Sequence, residues 1–167
     1  MESDVILKGK RVLLVDDEPD VLETLEEDLD MCRLSSACSY KEARELLEKT
    51  DFDIAVLDIM GVDGYRLLDI AGKRNVISIM LTAHALSPEH AVKSHQKGAA
   101  SYVPKGKINE VKAVLVQVLE AKEKGGSFWS HWYNRFGTYF ERKFGAGWVS
   151  QGEFWKEVHV GKWEKYF

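Results

Sequence analysis

Cysteine is scarce in this chain: Cys32 and Cys38 are its only two. Their spacing is neither the C-x-x-C of a redox pair nor that of a zinc site. A disulfide scaffold and a structural zinc cluster are thereby excluded, and both residues read as free thiols in a reducing compartment. Long apolar runs are missing too. No stretch approaches the ~18 residues of a membrane span, and "MESDVILKGK" (1–10) lacks the apolar core of a signal peptide, so a cytoplasmic protein is expected. Charge of one sign is not in excess: the formal net charge of −4 gives no support to broad nucleic-acid binding. His90, His95, His131 and His159 have no ligand spacing. No G-x-x-x-x-G-K-[ST] phosphate loop occurs, and "GAGWVS" (145–150) falls short of a dinucleotide fingerprint. Internal repeats and low-complexity tracts are absent. At 45% hydrophobic and 30% charged, the composition is that of a folded domain. Its 167 residues suffice for one core of ordinary size plus an extension.

Short apolar runs alternate with helical patterns. The runs are "RVLLV" (11–15), "LSSACS" (34–39, the weakest), "IAVLD" (54–58), "VISIML" (76–81) and "SYV" (101–103). The central ones are almost continuous in Val, Ile and Leu, as strands buried on both faces of a parallel sheet are. Between them, Val21, Leu22, Leu25 and Leu29 form a helical stripe after Pro19. Ser39 with Glu42 resembles a capping box before "YKEARELLEK". Ser87-Pro88 reads as an N-cap followed by a first-turn proline, opening a helix to about Lys97. Ile108, Val111, Leu115 and Val118 give a last helix its apolar face. Five βα units in this order predict a doubly wound α/β fold. In such folds the chemistry lies beyond the carboxyl ends of the strands.

Asp16 and Asp17 end the first run, Asp58 the third and Thr82 the fourth, while Lys105 follows the fifth. All five are expected at one sheet edge. Three adjacent carboxylates, Asp16, Asp17 and Glu18, repel one another and call for a cation. Magnesium suits them, being bound through one or two carboxylates, waters and a phosphate oxygen. Asp17 and Asp58 could each give one oxygen, a backbone carbonyl just past Asp58 another, and Asp16 could hold a coordinated water. Asp58 is then a candidate nucleophile toward phosphorus, with Lys105 and Thr82 as donors to phosphate oxygens.

The sequence resembles the receiver domain of bacterial two-component response regulators. The likeness rests on Asp16-Asp17 in "LLVDDE", Asp58 in "IAVLDIM", Thr82-Ala83 in "IMLTAHA", and Tyr102 with Lys105 in "GAASYVPKG", and covers about residues 8 to 124. It implies a flavodoxin-like, five-stranded parallel sheet of order 2-1-3-4-5. It also implies that Asp58 is the phosphoacceptor for a sensor histidine kinase or phosphotransfer protein. Asp16, Asp17, Asp58 and the Met60 carbonyl would bind magnesium; Lys105 and Thr82 would contact the phosphoryl group. Tyr102 would turn inward as Thr82 moves, altering the face made by the family's fourth helix, fifth strand and fifth helix. The chain departs from the family twice. "DIMGVDGY" has no Met-Pro pair and is about two residues shorter than D-x-x-M-P-x-x-x-G. Gly106, not proline, follows Lys105, so a cis bond is not expected there.

The organisation expected is a receiver at 1–124, a Gly linker at 125–126 and an aromatic helical extension at 127–167 holding all five tryptophans. Phe128, Trp132, Phe136, Phe140 and Phe144 recur every four residues, as on an amphipathic helix. "GAGW" reads as a turn, and Ser150 with Glu153 as a second cap. The extension is too short for a winged-helix output domain. It suits packing on its own receiver or a homodimer or partner surface; membrane contact and DNA binding are disfavoured. A signalling switch is expected rather than a metabolic enzyme; the alternative is a phosphorylation-independent adaptor binding through the tail. An aspartyl phosphatase is disfavoured because Met60 stands where such enzymes carry a second aspartate.

Overall fold

The structure is a computed structural model describing residues 2–83, 88–126, Trp129, Trp132, Phe136, Thr138, Tyr139 and Arg142. The elements are α1 (Glu2–Leu7), β1 (Arg11–Val15), α2 (Pro19–Asp28), β2 (Arg33–Ala37), α3 (Tyr40–Lys49), β3 (Ile54–Asp58), α4 (Gly64–Lys73), β4 (Ile77–Thr82), α5 (Pro88–Gln96), β5 (Ser101–Pro104) and α6 (Val111–Glu123). A 3-10 segment, Lys105–Glu110, joins β5 to α6. The strands form one parallel sheet of order β2-β1-β3-β4-β5, the doubly wound arrangement expected. Helix α1 was not foreseen. It shifts the helix count by one, so the face named above is here α5, β5 and α6. Leu7 of α1 is buried, and Asp4 pairs with Lys112 of α6.

Burial explains the strand sequences. Every residue of β3 and β5 is buried, and every residue of β1 past Arg11. Strand β2 lies at the sheet edge and is only partly covered, which is why its sequence signal is weakest. Pro104 ends the other edge strand, where a missing N–H costs no ladder bond.

Local signals set several boundaries. Ser39 Oγ accepts the Glu42 N–H at 3.2 Å, but the Glu42 carboxylate reaches the Cys38 N–H rather than the Ser39 N–H of a true capping box. Val111, Leu115 and Val118 are buried along α6 with Val114 and Leu119, while Ile108 lies half-buried in the 3-10 segment. The last helix stops in a Schellman motif: Gly125 has φ 72°, its N–H reaches Lys122 O, and Gly126 N–H reaches Ala121 O. Tyr65 of α4 ties that helix to α5. Its hydroxyl lies 3.0 Å from His90 Nδ1, with the two rings stacked.

The chain divides into two compact units, Met1–Leu119 and Glu120–Phe167. In the second, Trp129, Trp132 and Phe136 are helical and buried, with successive ring centroids 5.8 Å apart. Phe128, Phe140 and Phe144, the "GAGW" turn, the Ser150–Glu153 cap, and the cap at Ser87 lie outside the described residues.

Candidate functional site

Register assembles the site. Val15 pairs with Leu57, which sets Asp16 level with Asp58 on neighbouring strands. Asp58 pairs with Leu81, so Thr82 stands one step beyond it; Thr82 in turn pairs with Pro104, one residue before Lys105. All the chemistry-bearing positions thus reach the same sheet edge. Asp16, Asp58 and Thr82 are buried there. Tyr102, on β5, is fully buried.

Lys105 is the hub. Its Nζ lies 2.7 Å from Glu18 Oε1, 2.8 Å from Asp16 Oδ2 and 3.4 Å from Asp58 Oδ1. Burial alone would lower its pKa, but the short contacts with Asp16 and Glu18 and the charge of Asp58 outweigh that and raise it well above the ordinary value. Burial raises Asp58, and the neighbouring charge of Asp16 raises it further. Lys105 and the Gly61 N–H, which donates to Asp58 Oδ2 at 3.1 Å, only partly offset this. Burial raises Asp16 as well, against the pull of Lys105 and the Glu18 N–H bonded to its Oδ1.

A cleft of about 280 Å³ opens over these groups, lined by Asp17, Glu18, Asp58, Met60, Gly61, Ala83 and Lys105. Oxygens of Asp16, Asp17 and Glu18 come within 4.8 Å of one another. Asp16 Oδ2 is buried, and apart from the Lys105 ammonium 2.8 Å away it meets no donor. A buried carboxylate oxygen short of donors, beside two more carboxylates at a cleft mouth, fits a hard, oxygen-liganded divalent ion.

Two contacts have no counterpart in the sequence pattern. Glu18 acts as a third carboxylate on Lys105, across 87 residues of chain. Gly61 packs against Asp17: a Cβ there would overlap its carboxylate. A glycine three residues past Asp58 was the only available hint. Met60 borders the cleft with its side chain 65% exposed. His84, two residues past Thr82 and read from the sequence more as a solvated histidine than as a residue of the pocket mouth, lies outside the described residues. No cis peptide bond occurs among the described residues.

Comparison with known proteins agrees with this architecture. The family model of the response regulator receiver domain matches residues 12–116. The two-component response regulator ARR12 of Arabidopsis thaliana is 33% identical over 122 residues, covering 68% of this chain and 20% of that protein. The response regulator protein PilR of Pseudomonas aeruginosa is 33% identical over 122 residues, covering 67% of this chain and 27% of that protein. The chain thus matches only 20% to 27% of these relatives' length. Among solved structures, a CheY-like receiver domain protein from Methanospirillum hungatei superposes with a TM-score of 0.63 at 28% identity, covering 71% of this chain and 100% of that one. A response regulator from Burkholderia pseudomallei, solved with a phosphorylated aspartic acid and a calcium ion, gives 0.55 at 25% identity, covering 69% and 75%. The fold and the site edge define a signalling receiver module. This chain belongs to the response regulator receiver domain family of two-component systems.

Proposed function

We propose that the chain is a phosphorylatable switch, with Asp58 taking a phosphoryl group from the phosphohistidine of a sensor histidine kinase or phosphotransfer protein. The observation that carries this reading is the approach of Lys105 Nζ to within 3.4 Å of Asp58 Oδ1 at the base of an open acidic cleft. An Asp58 oxygen bonds to phosphorus while the P–N bond breaks, and the imidazole leaves with the electron pair and takes a proton from solvent. Lys105 holds Asp58 ionised against burial and against Asp16, then neutralises charge on the transferred oxygens. The hydroxyl of Thr82 donates to another of those oxygens. Asp16, Asp17, Asp58 and the Met60 carbonyl would hold a magnesium ion. When bound, it supplies neutralisation of charge on the phosphoryl oxygens. The Burkholderia relative, with its phosphorylated aspartic acid and calcium ion, supports the same pairing of groups.

The added phosphate makes contacts that only one of two states satisfies. Thr82 moves toward it, the position of Tyr102 changes with it, and the face of α5, β5 and α6 is remodelled. Residues 1–124 act as the receiver and 125–126 as the linker. The extension at 127–167 is the output, altering its docking or self-association. Chemistry is confined to the chain's own phosphorylation and dephosphorylation, in the cytoplasm. Intact-mass measurement after incubation with acetyl phosphate and magnesium tests this. One phosphoryl adduct is expected on the wild type and none on Asp58→Asn. A folded wild type unmodified by acetyl phosphate and by phosphorylated kinases alike leaves the adaptor reading, which the shortened loop 59–63 favours.

A further inference from the structure

We infer that Gly61 is a positioning residue for the divalent-cation site: its bare Cα lets Asp17 keep its carboxylate in the acidic cluster, while its N–H fixes Asp58 Oδ2. This rests on the cation-dependent reading above. The loop from Ile59 to Asp63 is pinned by two buried side chains, Ile59 and Val62. Between these anchors the short loop crosses the acidic edge directly. An ideal Cβ on Gly61 would overlap Asp17 Oδ1, Cγ and Oδ2, its three nearest neighbours. Backbone conformation does not demand glycine here, because Gly61 is not among the positive-φ residues. The requirement is steric, and it is directed at one carboxylate. Asp17 is exposed, and its carboxylate is the free end of a short side chain. It can rotate away from an added methyl, so the burden falls on the cluster and not on the fold.

Gly64 shows the opposite case. Its Cβ would overlap the backbone oxygen of Asp58 and stand 2.9 Å from the Ile59 Cα, neither of which can swing aside. The loop glycine and the first glycine of α4 therefore have different tasks.

The test is magnesium binding to the full chain, measured by calorimetric titration with magnesium chloride alone, together with melting in its absence. Gly61→Ala is expected to bind magnesium roughly ten- to a hundredfold more weakly, the range seen when groups that orient ligands are changed. Its melting without magnesium should match the wild type. Asp17→Asn should lose affinity similarly, and the double variant should bind no more weakly than Asp17→Asn alone. Wild-type affinity in Gly61→Ala overturns the inference, as do losses that add in the double variant. If Gly61→Ala unfolds, the same change is made in Asp17→Ala, where room exists. Melting like that of Asp17→Ala supports the steric argument, and unfolding there also overturns it. A wild type that binds no magnesium overturns both this inference and the reading beneath it, whereas binding unaffected by Gly61→Ala overturns this inference alone.

Discussion

Lys105 is shared among three carboxylates, and only one of them is the proposed acceptor. Asp16 is buried, 2.8 Å from the ammonium; Glu18 is half outside the pocket, with its side chain 55% exposed. An ammonium held by Glu18 is partly neutralised before any phosphate arrives. The Glu18 end of the pair is solvated, and ion pairs in contact with solvent contribute only ~0.2–1 kcal/mol, so the restraint is weak. Glu18→Gln should therefore raise the rate of phosphorylation by acetyl phosphate at saturating magnesium about two- to fivefold, read by intact mass against time. The change also removes one negative charge from the approach of an anionic donor. A rate that is unchanged or slower counts against the restraint. Weaker magnesium binding in the same variant would instead assign Glu18 to the ion.

At the scale of elements, the segment from β3 into α4 carries the proposed acceptor, Asp58, and a residue in the left-handed region. Asp63 sits in the left-handed region at φ 54°, immediately before α4 begins at Gly64. The Gly64 N–H bonds Ile59 O at 2.9 Å, closing the loop onto the end of β3. A methyl on Gly64 must displace the backbone of Asp58 or the start of α4. Gly64→Ala is expected to destabilise the fold by about 1–3 kcal/mol, the usual result of forcing atoms into a filled space. That corresponds to a fall in melting temperature of several degrees for a chain of this size. Melting as in the wild type would mean that α4 slides without cost. Helix α4 is also tied to α5 by the Tyr65 hydroxyl, which lies 3.0 Å from His90 Nδ1 and 3.2 Å from His90 O. Helix α5 is thereby linked to the helix that follows the loop after Asp58.

For the whole molecule, all five tryptophans lie in residues 127–167, so tryptophan emission originates in the extension. Beryllofluoride with magnesium imitates a phosphoryl group on the proposed acceptor, Asp58. It should change the emission spectrum or the sedimentation of the wild type and leave Asp58→Asn unaltered. Identical emission and sedimentation in both would separate the extension from the switch. The buried run Trp129, Trp132 and Phe136 offers environments sensitive enough to register such a change.

The sequence by itself determined the strands, their buried character and the class of fold. Both signals it uses are local: near-continuous apolar runs for strands covered on two faces, and polar residues at their carboxyl ends. Strands β1 and β3 begin and end where the apolar runs do. Helix α1 escaped because six residues are too few for a periodic signal; in the extension Trp129 is buried along with Trp132 and Phe136 of the expected stripe. Only the tertiary structure decided that Glu18 meets Lys105 and that Gly61 passes against Asp17. Those contacts depend on strand register and on how a loop is pinned at both ends, and neither leaves a period or a composition in the chain.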